Sequence, residues 1–171
     1  MNDKTQPVIA GVVLCGGHSR RMGISKAQLP FGDETMLDRV VRILRQVVSP
    51  IVVVTSANPP VPRMPDHVLV TQDRKPDQGP LEGIRMGLQA VSSVADAAYA
   101  TECDFPYLAA GCIQPLIDQL QQTDVAVASE NGFLHPLAAV YRTSVFFQVL
   151  TVIVLLITAF ILRGCSICLL Y

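Results

Sequence analysis

Charged side chains are scarce in this chain of 171 residues: Asp, Glu, Lys and Arg make up 16%, against 50% hydrophobic residues. Thirteen basic and 14 acidic side chains leave a formal net charge of −1, which gives nucleic acid or an anionic membrane surface little to recognise by charge. Metal-thiolate spacing is lacking too. The five cysteines, at 15, 103, 112, 165 and 168, include one isolated Cys165-x-x-Cys168 without a second pair or nearby histidines, which argues against zinc. An odd cysteine count and no N-terminal signal peptide lead to the expectation of a reducing, cytoplasmic setting. A chain of this length has room for one domain with a real core and little for a second.

Two familiar phosphate-binding patterns are also missing. Neither G-x-x-x-x-G-K-[ST] nor G-x-G-x-x-G occurs. What is present is an apolar run, Val8 to Leu14, that stops at Gly16-Gly17, passes Arg20-Arg21 and reaches Lys26 three residues after Gly23. A buried strand opening into a glycine-rich loop offers backbone N–H groups to an anion. Glycine lets phosphate approach the main chain without meeting a Cβ. The arginines then add forked donors and the lysine a point charge.

Apolar runs at Val8–Leu14, Ile51–Thr55, Val68–Thr71, Ala97–Thr101 and Val125–Ser129 read as strands, with Phe133–Arg142 entered through an Asn131-Gly132 turn. Helical spacing runs from Met36 to Val48 behind a Thr35/Asp38 capping pair, from Pro80 to Val94, and from Pro115 to Gln122. The proline-rich segment 58–65 reads as a loop. Alternation of this kind predicts βαβ units: an α/β, Rossmann-like, mostly parallel sheet with helices on both faces. Ligands of such sheets bind beyond the carboxyl ends of the strands. Asp73 and Asp104 both follow strands, so the glycine loop, Lys26 and these carboxylates are expected on one rim. Phosphates, a lysine and an aspartate there suggest a nucleoside triphosphate with Mg²⁺, which takes few protein ligands.

Leu14-Cys15-Gly16-Gly17-His18-Ser19-Arg20-Arg21-Met22-Gly23-Ile24-Ser25-Lys26 resembles the L-x-G-G-x-S-x-R-M-G-x-x-K signature of the molybdenum-cofactor nucleotidyltransferases and their sugar-nucleotide relatives. Cys103-Asp104-Phe105-Pro106 is similar to that family's C-D-x-P element, and Gly79-Pro80-Leu81-Glu82-Gly83 to its G-P-L-x-G element. The resemblance implies the fold of the nucleotide-diphospho-sugar transferases. It implies Mg²⁺ on Asp104, with Arg21 and Lys26 on the departing pyrophosphate. Nucleotide contacts would come from Leu14, Cys15, Gly16, Gly17, Lys26, Asp73, Gly79 and Asp104. Leu14-Cys15-Gly16-Gly17 is nearer to the L-A-G-G of the guanylyltransferase branch than to the L-A-A-G of cytidylyl enzymes, with cysteine in place of the usual alanine. That branch implies transfer of GMP from GTP to the phosphate of molybdopterin. The alternatives are a cytidylyl- or sugar-1-phosphate nucleotidyltransferase, and an inactive nucleotide-binding protein tethered to membrane. Among the histidines, His18 and His135 lie near the expected site without a role of their own.

The resemblance runs from Val8 to about Arg142. Residues 1–143 are therefore expected to form the nucleotidyltransferase domain, C-terminally incomplete relative to the family, and residues 144–171 an atypical apolar tail with Arg163 as its single charge. At ~1.5 Å per residue, a helix over residues 145–162 would just reach across a hydrocarbon core of ~30 Å. The tail reads as an altered terminus, as a membrane anchor, or as a buried strand and helix. The abruptness of the change favours the first, and membrane is a partner only if the 145–162 segment is a genuine anchor.

Overall fold

The structure, a computed structural model, describes residues 6–16, 25–56, 64–73, 79–121, 123–145 and 167–170. Nine strands and three α-helices follow in chain order among them: β1 Ile9–Cys15, β2 Pro30–Phe31, β3 Glu34–Thr35, α1 Met36–Leu44, β4 Ile51–Thr55, β5 Val68–Gln72, α2 Pro80–Val91, β6 Ala97–Glu102, α3 Gln114–Gln119, β7 Val125–Glu130, β8 Phe133–Arg142 and β9 Ile167–Leu170. Seven strands form one sheet in the order β5-β4-β1-β6-β8-β7-β9, and β2 and β3 form a small hairpin. All neighbours in the large sheet run parallel except β8, which is antiparallel to both β6 and β7.

The central strands are continuous apolar runs because both faces are covered. Ala10, Val12 and Val13 of β1 are fully buried, as are Val52 and Val53 of β4. One face packs against α1 and α3 through Leu37, Val40, Leu44 and Leu116, with Leu120 just after α3. The other packs against α2 through Ile84, Leu88 and Val91. Helix α2 lies very close to β1: a Cβ on Gly87 would come within 2.3 Å of Val12 Cγ1, so only glycine fits there without a shift.

The helices stop earlier than their apolar spacing predicts. The α1 pattern continues to Val48, but the α-helix ends at Leu44 and a turn over 45–47 follows. Val48 is still buried in the core, so periodic burial outlasts the helix. Helix α2 also ends early, at Val91, and gives way to a turn over 92–94, but there Val94 is exposed and burial does not follow the apolar pattern. The Thr35 cap forms as expected, its Oγ1 accepting from the Asp38 N–H at 3.1 Å and donating to Asp38 Oδ2 at 2.7 Å. Asn131 and Gly132, at φ 51° and 80°, turn β7 into β8.

Beyond Val145 the described residues are the four of β9, which pair in parallel with Val125–Ala128 at the sheet edge. The 146–162 part of the expected apolar span lies outside the described residues, as does most of the proline-rich loop. Among the described residues no helix is long and apolar enough to cross a membrane.

Candidate active site

Strand register sets the site. Cys15 of β1 stands beside Thr55 of β4, Thr55 beside Gln72 of β5, and Leu14 beside Glu102 of β6, so four parallel strands end level on one rim. Two backbone bonds turn the following loops inward at that rim. The Asp73 N–H donates to the Thr55 carbonyl at 2.7 Å, and the Cys103 N–H to the Leu14 carbonyl at 3.0 Å. Asp73 and Asp104 thus leave their strands on either side of β1, where the glycine loop begins.

Lys26 opens a short 3₁₀ turn, Lys26–Gln28. Its Nζ lies 2.5 Å from Asp104 Oδ2, with the lysine side chain half exposed and the aspartate 22% exposed. The carboxylate beside it pushes the Lys26 amine above its ordinary range, so the amine is a fixed positive charge at neutral pH. Lys26 and Asp104, 78 residues apart in the chain, are therefore brought into direct contact.

Asp104 faces a cavity of about 380 Å³ between the end of β6 and the start of β8, which Pro80, Glu102, Phe105 and His135 also line. Glu102 was not singled out from the sequence; an acidic residue closing an otherwise apolar strand was the available signal. Burial first, and then the neighbouring Asp104, raise the Glu102 carboxyl above its ordinary value. Oxygen donors of this kind suit a hard divalent cation that completes its shell with phosphate and water. Among the described residues no group of three or more His, Cys, Asp or Glu side chains converges as a metal site.

The remaining expected residues divide by role. Leu14 is buried against α2, where a Cβ on Gly83 would meet its Cδ2 at 3.0 Å, and its carbonyl accepts from the Cys103 N–H. The Cys15 thiol is pushed far up, chiefly by its hydrogen bond with the Cys103 thiol and by burial. Gly16 ends the described part of the loop on an exposed position. Gly79 takes φ 74° immediately before α2, a conformation that favours glycine, and directs the first turn of that helix toward the cavity lined by Pro80. Gly17, His18 and Arg21 lie outside the described residues.

Comparison with known proteins follows the same outline. The probable molybdenum cofactor guanylyltransferase of Mycobacterium bovis is 41% identical over 139 residues, taking in 79% of this chain and 68% of that protein. The crystal structure of Rv0371c from Mycobacterium tuberculosis matches with a TM-score of 0.73 at 21% identity, over 95% of this chain and 87% of that one; the same protein has a manganese complex, with a TM-score of 0.68. Molybdopterin-guanine dinucleotide biosynthesis protein A of Archaeoglobus fulgidus matches with a TM-score of 0.67 at 16% identity, over 94% and 82% of the two chains. At those identities the structures share the fold of nucleotidyltransferases. The MobA-like NTP transferase domain matches residues 11–154, past Arg142 where the legible signature stops. Since that match takes in the loop, Lys26 and Asp104 together, the chain belongs to the MobA-like NTP transferase family and is a nucleotidyltransferase.

Proposed function

We propose that this chain transfers GMP from GTP to the terminal phosphate of molybdopterin. An acceptor phosphate oxygen attacks the α-phosphorus, the bond from that phosphorus to the β-bridging oxygen breaks, and pyrophosphate leaves. The acceptor is already ionised at neutral pH, so the step calls for no general base. The observation that carries the reading is the contact of Lys26 with Asp104 at 2.5 Å on the rim where the glycine loop begins, with Asp73 on the same rim.

Each residue then has one task. Asp104 would hold Mg²⁺, with Glu102 beside it; the ion supplies charge neutralisation when bound. Lys26 exchanges its carboxylate partner for phosphate oxygens of the departing pyrophosphate, joined by Arg21. Gly16 and Gly17 offer N–H groups to phosphate, and Gly79 brings the positive end of α2 to the same place. Asp73 accepts from guanine N1–H and N2–H₂. Every residue given a role lies within residues 1–143, and a cytoplasmic location accords with these substrates.

The test is pyrophosphate release with molybdopterin and GTP, CTP, ATP or UTP in the presence of Mg²⁺. GTP is expected to be preferred at least ~10-fold in kcat/KM. Lys26→Ala and Asp104→Asn are each expected to lose ~10²-fold or more in turnover, as when a charge-stabilising group is removed from a transition state. Equal use of CTP would overturn the guanylyl assignment. Wild-type rates in both variants would overturn the site itself.

A further inference from the structure

The Lys26–Asp104 contact is held from behind by the first turn of α1. On the lysine side, the N–H of Met36, the first residue of α1, donates to the carbonyl of Leu29 at 2.9 Å, directly after the 3₁₀ turn that carries Lys26. On the aspartate side, Arg39 Nε donates at 2.7 Å to the carbonyl of Pro106, two residues after Asp104. Met36 and Arg39 are three residues apart and so share a helix face.

The Arg39 side chain is itself fixed on two further sides. Its Nη1 donates to Glu34 Oε1 at 3.1 Å, and its guanidinium lies 4.7 Å from the centroid of the Phe31 ring. That ring meets Tyr107, the neighbour of Pro106, edge-on at 6.1 Å. Arg39 therefore spends a planar, multiply held cation on a backbone carbonyl in the metal-side loop. A charge-assisted bond of this kind is stronger than a neutral one. Its neighbour Arg42 bonds the same Glu34, at 3.0 and 2.7 Å, without bonding Pro106.

We propose that Arg39 is a positioning residue for the cation site: through Pro106 it sets the Asp104 carboxylate against Lys26 and the phosphates. Arg39 touches neither the ion nor the nucleotide. The inference rests on the reading of Asp104 as the residue that holds the cation. Groups that orient a metal-holding carboxylate typically cost 10–100-fold in metal affinity when removed.

The test titrates Mn²⁺ into wild type, Arg39→Ala, Arg42→Ala and Asp104→Asn, followed by water-proton relaxation, alongside the Mg²⁺ concentration giving half-maximal pyrophosphate release. Arg39→Ala is expected to weaken Mn²⁺ binding and raise the Mg²⁺ requirement about tenfold, with turnover restored at saturating Mg²⁺. Arg42→Ala is expected to bind Mn²⁺ as the wild type does. Asp104→Asn is expected to lose binding and not to be rescued. Arg39→Lys keeps a charge near Glu34 but gives up the planar fork, so it serves, with the same direction of effect, if the alanine variant fails to fold. Wild-type Mn²⁺ affinity in the Arg39 variants, with loss in Asp104→Asn, overturns this inference alone. Equal losses in the Arg39 and Arg42 variants also overturn it, because the shared Glu34 pairing would then be the cause. Wild-type affinity in Asp104→Asn overturns the reading of the site beneath it.

Discussion

Asp73 gives the sharpest single-residue test, because base recognition is a matter of donor and acceptor order. Guanine presents N1–H and N2–H₂ side by side, and a carboxylate accepts from both. Xanthine keeps the N1–H but places an acceptor oxygen at position 2, which suits an amide that accepts with one atom and donates with the other. Asp73→Asn is therefore expected to lower GTP use and raise that of xanthosine triphosphate, shifting the ratio of their kcat/KM values by at least ~10-fold. An unchanged ratio would remove Asp73 from the base pocket. At this scale the sequence was informative where a residue sits inside a spaced motif: Lys26 and Asp104 were legible, and the fold brings them into contact. Glu102 was not, because one acid at the end of an apolar strand looks like the start of a loop. Arg39 was hidden for a related reason: an arginine on the polar side of an amphipathic helix reads as solvated, and only the fold shows the Pro106 carbonyl in front of it.

Between elements, two contacts carry predictions. Gly87 is where α2 meets β1, and an alanine there would drive its Cβ to 2.3 Å from Val12 Cγ1. Gly87→Ala is expected to cost ~1–3 kcal/mol, the usual range for overpacking a filled core, read as a lower midpoint in urea. A midpoint equal to the wild type's would mean that α2 and β1 part more easily than their fit suggests. The second contact is Glu34, where the Arg42 guanidinium, with Arg39 beside it, holds the carboxyl at about 2 instead of 4.5. A carboxyl lowered on folding stabilises the folded state above pH 4.5, and that contribution fades as pH falls through about 2. The stability gap between wild type and Glu34→Gln is thus expected to be constant above pH 5 and to close toward pH 2 in acid titrations. A gap that stayed constant throughout would mean that the pairing does not shift Glu34. The six longer strands of the large sheet, β1 and β4 to β8, were legible to within a residue or two because they are largely continuous apolar runs, whereas the short strands β2, β3 and β9 were not. Nor were helix ends: Val47 and Val48 carry the apolar pattern past the end of α1, and Val94 carries it past α2 although its side chain is exposed.

Across the whole molecule, strand order was the least legible property. The Asn131-Gly132 turn announces a hairpin, but nothing local says that its second strand, β8, inserts between β6 and β7; that choice is made by two buried faces closing together. The insertion places the start of β8, with Leu134 and His135, over the cavity that Asp104 faces. It also leaves β7 to be completed from outside the hairpin, and β9 does so by pairing with Val125–Ala128. Val125, Ala126 and Val127 are fully buried, so β7 without β9 would leave an apolar strand with its outer edge unpaired, the geometry that invites association between chains. A chain ended after Val145 is accordingly expected to lose roughly 1–2 kcal/mol, a net gain over ordering cost typical of a few ladder hydrogen bonds. That corresponds to a melting midpoint lower by about 2–8 °C and to more self-association in gel filtration. GTP affinity is expected to stay within about twofold, since every residue assigned to the nucleotide precedes the cut and sits on the rim at the strand ends. A midpoint and elution volume equal to those of the full chain would show that β9 adds nothing to the sheet. Loss of GTP binding by a well-folded shortened protein would place part of the nucleotide site after Val145.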